Sequence, residues 1–211
     1  MVSAMSPAES RTASELLVRQ LETRLNWEAA RSILLFHPLP DEPDIRPLVE
    51  RAIAHGCAVA LPAFDPSTGR YEARVISGFG PSLACGLHGI PEPGPLCPLI
   101  ALNRLDLVLV PGVAFDARGG RLGRGKGFYD RLLAAVNGMK CGVAFDEQIV
   151  DAVPVGPQDI RVNCILTPTR WIPTRRSSRP LCVSGMCRAS VRLVIVQCGV
   201  ASPRRGPLSP L

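Results

Sequence analysis

An α/β layered domain built on a mostly parallel sheet is the fold this sequence predicts, on three observations. Segments with apolar residues at three-to-four spacing alternate with short, wholly apolar runs, the pattern of helices packed over strands buried on both faces. The chain has 211 residues, 46% apolar and 20% charged, enough for one domain with a buried core and too few for two well-developed ones. A glycine-rich loop opens into a helix late in the pattern, and in such sheets ligands sit beyond the carboxyl ends of the strands.

Residues 8–31 carry Leu16, Leu17, Leu21, Leu25 and Ala29 after Ser6-Pro7, which predicts an amphipathic helix with a serine cap and a proline in its first turn. A strand follows at 33–36, a second helix at 45–55 stopping at Gly56, and a strand at 57–61 ending at Pro62. A candidate strand at 73–76 precedes the continuous apolar run 105–110. Then come the glycine-rich loop, a helix over 128–136, and buried strands at 139–145 and 162–166. The division drawn is a body over 1–172 and a tail over 173–211.

The net charge of +6 belongs to that tail. Seven arginines lie between Pro173 and Leu211 with no lysine and no acid, so the body is close to neutral. The tail offers only 191–196 as a strand and reads as an irregular, disordered appendage; an out-of-frame translation of GC-rich sequence from Arg170 onward is the alternative. It lacks the aromatic residues that single-strand binders interleave with their cations, so a nucleic-acid partner is not expected. No run of about 18 apolar residues is present. Residues 1–11 have neither a basic start nor an apolar stretch, so a cytoplasmic protein is expected, with no membrane partner. Eight cysteines without a signal segment or C-x-x-C spacing do not predict a disulfide framework or a zinc site; Cys57, Cys141 and Cys164 sit in apolar runs as small hydrophobes.

The chemistry is concentrated in VPGVAFD over 110–116 and GGRLGRGKGFYD over 119–130. Five glycines among residues 119–127 let the backbone turn tightly and aim N–H groups at one point, which suits phosphate. Arg121, Arg124 and Lys126 add positive charge, and the helix beginning near Phe128 adds its N-terminal dipole. Gly120-x4-Gly125-Lys126 approaches a Walker loop, but Gly127 stands where the magnesium-holding Ser or Thr would be.

Taken whole, the pattern resembles the 5-formyltetrahydrofolate cyclo-ligase family, also called methenyltetrahydrofolate synthetases. SPAE at 6–9, PLPDEPD at 38–44, ALP at 60–62, GIPEP at 89–93, GVAF at 142–145 with Gln148, and Asp159 ahead of CILT at 164–167 follow in the family's order. The resemblance implies a three-layer α/β/α domain that uses ATP and Mg2+ to convert 5-formyltetrahydrofolate to 5,10-methenyltetrahydrofolate, and a monomer is expected.

It also implies residue roles. Arg121, Leu122, Gly123, Arg124, Gly125, Lys126, Gly127, Phe128 and Tyr129 would wrap ATP, with Arg124 to Phe128 also touching the folate. Arg124, Lys126 and Tyr129 would carry the catalytic step, His37 and Glu42 would bind folate, and Asp130 and Asp159 would hold magnesium. Phosphoryl transfer needs positioning and charge neutralisation more than a protein nucleophile, which suits this set. Family members carry a Lys and an Arg on a helix just before the segment matching SPAE; without them turnover is expected to be slow. A folate- or nucleotide-binding relative without turnover, and a different nucleotide phosphotransferase, stay open as alternatives. Replacement of Lys126 or Asp130 is expected to spare the fold.

Overall fold

The structure, a computed structural model, describes residues 5–24, 30–80 and 82–174. Helix α1 (Pro7–Arg24) begins with a reciprocal cap. The Ser6 hydroxyl accepts from the Glu9 N–H at 3.3 Å, and the Glu9 carboxylate accepts from the Ser6 N–H at 2.8 Å. The helix is shorter than the periodicity predicts: Ala30 is no longer helical, and Leu25 and Ala29 lie outside the described residues. Strand β1 (Ser32–Leu34) leads to α2 (Pro47–Ala54), which starts on its proline and stops before Gly56, whose φ of 78° no side-chain-bearing residue adopts easily. Strands β2 (Ala58–Asp65) and β3 (Arg70–Val75) form a hairpin. Short strands β4 (Leu83–Cys85), β5 (Pro91–Pro93) and β6 (Leu99–Ile100) precede β7 (Leu107–Val110). After β8 (Ala114–Asp116) and β9 (Arg121–Leu122) come α3 (Phe128–Ala134), β10 (Met139–Val143), β11 (Ile149–Val150), β12 (Cys164–Leu166) and β13 (Trp171–Pro173).

The main sheet has eight strands in the order β13-β12-β10-β7-β1-β2-β3-β6. Its centre, β12-β10-β7-β1-β2, is parallel throughout, and β13, β3 and β6 add antiparallel edges. Alternation along the strands divides the core between two faces. Ile33, Val59, Leu61, Leu107, Leu109, Cys141 and Leu166 pack on one side with Leu17 and Leu21 of α1 and Leu48 and Val49 of α2. Leu34, Ala60, Val108, Val110 and Ile165 pack on the other with Leu132 and Leu133 of α3. The fold is therefore three-layered, with two α-helices of the described residues on one face and one on the other.

Chain direction places the site. From β1 the chain passes through α2 to β2 on one side of β1, whereas from β7 it passes through α3 to β10 on the other. The winding reverses between β1 and β7, and the crevice beyond their carboxyl ends is where open α/β sheets bind ligands.

Two smaller sheets, β11-β8-β9 and β4-β5, have no counterpart in the apolar pattern, because their strands are two or three residues long. A third difference is β13: it pairs with β12, and Thr174 beyond it is buried, its hydroxyl donating to the Val162 carbonyl at 2.7 Å. The division drawn after residue 172 cuts through this strand. The strand suggested at 191–196 lies outside the described residues.

Candidate active site

Two loops meet in the crevice. One follows β1 and carries His37, Asp41 and Glu42; the other runs from β9 into α3 and carries Arg124, Lys126 and Gly127. Arg124 Nη2 donates to both Asp41 carboxylate oxygens, at 2.6 and 2.7 Å, and stands 3.8 Å from Glu42 Oε1. Arg124 and Asp41 are exposed, so their pair is worth about 0.2–1 kcal/mol and is readily exchanged for a better anion.

Glu42 is buried and accepts the Leu39 N–H at 3.0 Å. Burial pushes its carboxyl above the ordinary value, outweighing that hydrogen bond and the charge of Arg124. His37 is half-buried, its ring edge-on to Phe79 at 5.5 Å, and burial lowers its pKa. A neutral imidazole follows at pH 7.

The glycine loop is fixed at both ends. At its start, Asp116 Oδ1 accepts the Arg118 and Gly120 N–H groups at 2.8 and 2.9 Å, and Oδ2 accepts the Val153 N–H at 2.9 Å. Burial pushes the Asp116 carboxyl up, but these three bonds outweigh it and leave the group below its ordinary value. At the loop's end, Gly127 adopts φ 60° before the first turn of α3. Lys126 is exposed between them.

Arg121 is not an open phosphate contact. Its side chain is 4% exposed, Nη2 donates to both Asp130 oxygens at 3.0 Å, and its guanidinium lies 5.6 Å from the Tyr129 ring centre. Its Nε is buried with no hydrogen-bond partner among the described residues, an unsatisfied donor beside the glycine loop. Tyr129 is half-buried; burial first, and then the charge of Glu42, pushes its hydroxyl above the usual range, so it stays protonated.

Asp130 also accepts the Ile160 N–H at 3.3 Å, which brings the segment holding Asp159 against α3. Asp159 is exposed, with Oδ2 accepting the Gly156 N–H at 2.6 Å. Among the described residues, no group of three or more His, Cys, Asp or Glu could hold a metal ion. Magnesium arriving with a nucleotide needs only one or two carboxylates, its other ligands being phosphate oxygens and water; in this structure both Asp130 oxygens accept from Arg121 and Asp159 Oδ2 accepts the Gly156 N–H.

Sequence reasoning missed Asp41, Asp116, Phe64, Tyr71 and Glu92. Asp41, Asp116 and Glu92 lie inside the matched segments PLPDEPD, VPGVAFD and GIPEP, but a loop acid carries no mark of its partner until the chain folds. Phe64 and Tyr71 of the β2–β3 hairpin meet Phe128 with ring centres 6.1 and 5.2 Å away, a clustering that no local spacing announces.

The likeness to known proteins agrees with the fold. A family model described as the 5-formyltetrahydrofolate cyclo-ligase family matches residues 2–168. The chain is 33% identical over 153 residues to 5-formyltetrahydrofolate cyclo-ligase of Mycolicibacterium smegmatis, covering 70% of this chain and 79% of that one. It is 31% identical over 174 residues to the enzyme of the same name from Escherichia coli K12, covering 79% and 94%. The NMR structure of Aquifex aeolicus 5,10-methenyltetrahydrofolate synthetase superposes with a TM-score of 0.73 at 28% identity over 92% of each chain. With its matched residues spanning the sheet from β1 to β12, both loops of the crevice and the two aspartates, the chain belongs to the 5-formyltetrahydrofolate cyclo-ligase family of enzymes.

Proposed function

We propose that the chain uses ATP and Mg2+ to convert 5-formyltetrahydrofolate to 5,10-methenyltetrahydrofolate, releasing ADP and phosphate. The observation that carries this reading is the meeting of the two loops: Arg124 of the glycine loop lies 3.8 Å from buried Glu42. A nucleotide phosphate on one loop and a folate held by the other would then share one crevice.

In this reading the formyl oxygen attacks the γ-phosphorus and ADP leaves. The neighbouring N10 amine closes on the activated carbon and loses its proton, and phosphate departs to leave the methenyl bridge. No protein nucleophile is needed, so the side chains act by position and charge. Arg124 would leave Asp41 for the phosphates, and Lys126 would add a second cation at the exposed lip. Arg121, buried against Asp130, would act on the same anion only through the glycine loop it braces. The protonated Tyr129 hydroxyl can donate but not accept a proton from the ring closure, and Glu42 would hold the folate through its N–H groups. Asp130 and Asp159 would hold Mg2+, which supplies charge neutralisation at the phosphates.

The test is direct. The purified protein with ATP, Mg2+ and 5-formyltetrahydrofolate is expected to generate the near-ultraviolet absorbance of methenyltetrahydrofolate, one ADP per turnover. Binding of both ligands without product would leave a binding relative; binding of neither would overturn the reading.

A further inference from the structure

Glu92 lies outside every role assigned so far. It sits in β5, 8% exposed, and no cation pairs with it among the described residues. Its Oε2 accepts the Phe64 N–H at 2.7 Å, and its Oε1 accepts the Tyr71 hydroxyl at 3.5 Å. The side chain lies directly over Gly86, where an added Cβ would fall 2.3 Å from Glu92 Cδ and 2.7 Å from Oε2. Phe64 and Tyr71 are themselves edge-to-face at 5.4 Å, and both meet Phe128, the residue that follows the glycine loop. One carboxylate therefore fixes the backbone under one ring and the hydroxyl of another, and those two rings brace the third. A buried acid without a cation costs stability, so packing alone gives no reason for one here.

We propose that Glu92 is a positioning residue for the folate substrate, acting through Phe64 and Tyr71 to hold the Phe128 ring at the mouth of the crevice. The proposal rests on the cyclo-ligase reading for the identity of the ligand. Aromatic rings present a rigid face to a flat heterocycle at little conformational cost, so loosening their common anchor should be felt by the folate rather than by ATP.

The experiment compares Glu92→Gln, Tyr71→Phe, their combination, and Gly86→Ala, whose methyl would push the carboxylate aside. Calorimetry with 5-formyltetrahydrofolate in the absence of ATP gives the folate affinity, and steady-state kinetics give the ATP KM. Glu92→Gln is expected to weaken folate about tenfold, the loss of one charge-assisted hydrogen bond, with the ATP KM within about twofold. Tyr71→Phe and Gly86→Ala should move in the same direction, and the double variant should be no worse than the stronger single one. Tyr71 also provides a ligand-free readout. Burial, and then the Glu92 charge, push its hydroxyl to about 12, and with only two tyrosines in the chain, ultraviolet titration should show one of them falling in Glu92→Gln. Unchanged folate affinity, additive losses, or folate and ATP weakened together would overturn the proposal. If Glu92→Gln does not fold, Tyr71→Phe and Gly86→Ala decide by the same readouts. A wild-type protein that binds no folate would overturn the cyclo-ligase reading instead, while the titration would still report whether Glu92 faces Tyr71.

Discussion

Arg121 holds both carboxylate oxygens of Asp130 at 3.0 Å, joining β9 to the first turn of α3 across the glycine loop. Asp130 is therefore structural as well as a candidate metal ligand, and the expectation that its replacement spares the fold is revised. Asp130→Asn would leave a buried guanidinium uncompensated, at a cost of about 3 kcal/mol. Chemical denaturation should show that loss without any ligand present. Adding Arg121→Met should return part of it, since removing the stranded charge relieves the desolvation cost.

Lys126 makes the opposite case. It stands exposed in the loop, so Lys126→Ala should leave the melting temperature within about 1 °C, as surface substitutions do. The ATP KM should rise roughly tenfold from loss of one charge-assisted phosphate contact. Steady-state kinetics beside a melting curve separate the two effects.

Glu42 carries a pH signature. Burial raises its carboxyl pKa in the folded state above the ordinary value of 4.5. A group raised on folding stabilises the native state fully below its unfolded pKa and loses that contribution as pH rises through the folded value. At neutral pH the buried charge is thus a burden, and Glu42→Gln, which can still accept the Leu39 N–H, should melt higher than the wild type at pH 7. The difference should vanish as the pH falls below 4.5, where the wild-type carboxyl is protonated. Folate affinity in the same variant should drop at least about tenfold.

Thr174 tests the edge of the sheet. Its hydroxyl donates to the Val162 carbonyl at 2.7 Å, its N–H donates to the Asn163 carbonyl at 3.1 Å, and its methyl packs near Gly119. A chain truncated after Ile172 should be less stable than one truncated after Thr174 by roughly 1–3 kcal/mol, the value of two buried hydrogen bonds. Urea titration of the two forms measures the difference.

The parallel centre of the sheet was legible because its strands are wholly apolar, α2 from its apolar spacing and Gly56, and the start of α1 from Ser6 and Pro7. The end of α1 was not, since the apolar spacing runs on to Ala29 while Ala30 is already outside the helix. Strands of two or three residues, such as β9, are made by backbone pairing and leave no period to read. In the site, the motif named the right loops, but the partners within them depend on which elements the topology sets side by side. Arg121 and Asp130 are nine residues apart, and Arg124 and Asp41 are 83 apart. No spacing rule tells a buried brace from an exposed cation in one glycine loop.

Phe115 shows how closely the sheet and the loop share space. An added Cβ on Gly112 would lie 2.8 Å from its ring, and one on Gly142 would lie 2.7 Å from it, so a single aromatic side chain occupies the room that two glycines leave. The three positions form one volume divided among them. Growth at either glycine has to be answered by shrinkage at Phe115, and paired substitutions such as Gly142→Ala with Phe115→Leu should cost less than their separate effects combined. Evolution at these three positions would then proceed by compensated exchanges, with the ring size at residue 115 setting which neighbours a descendant sequence can accept.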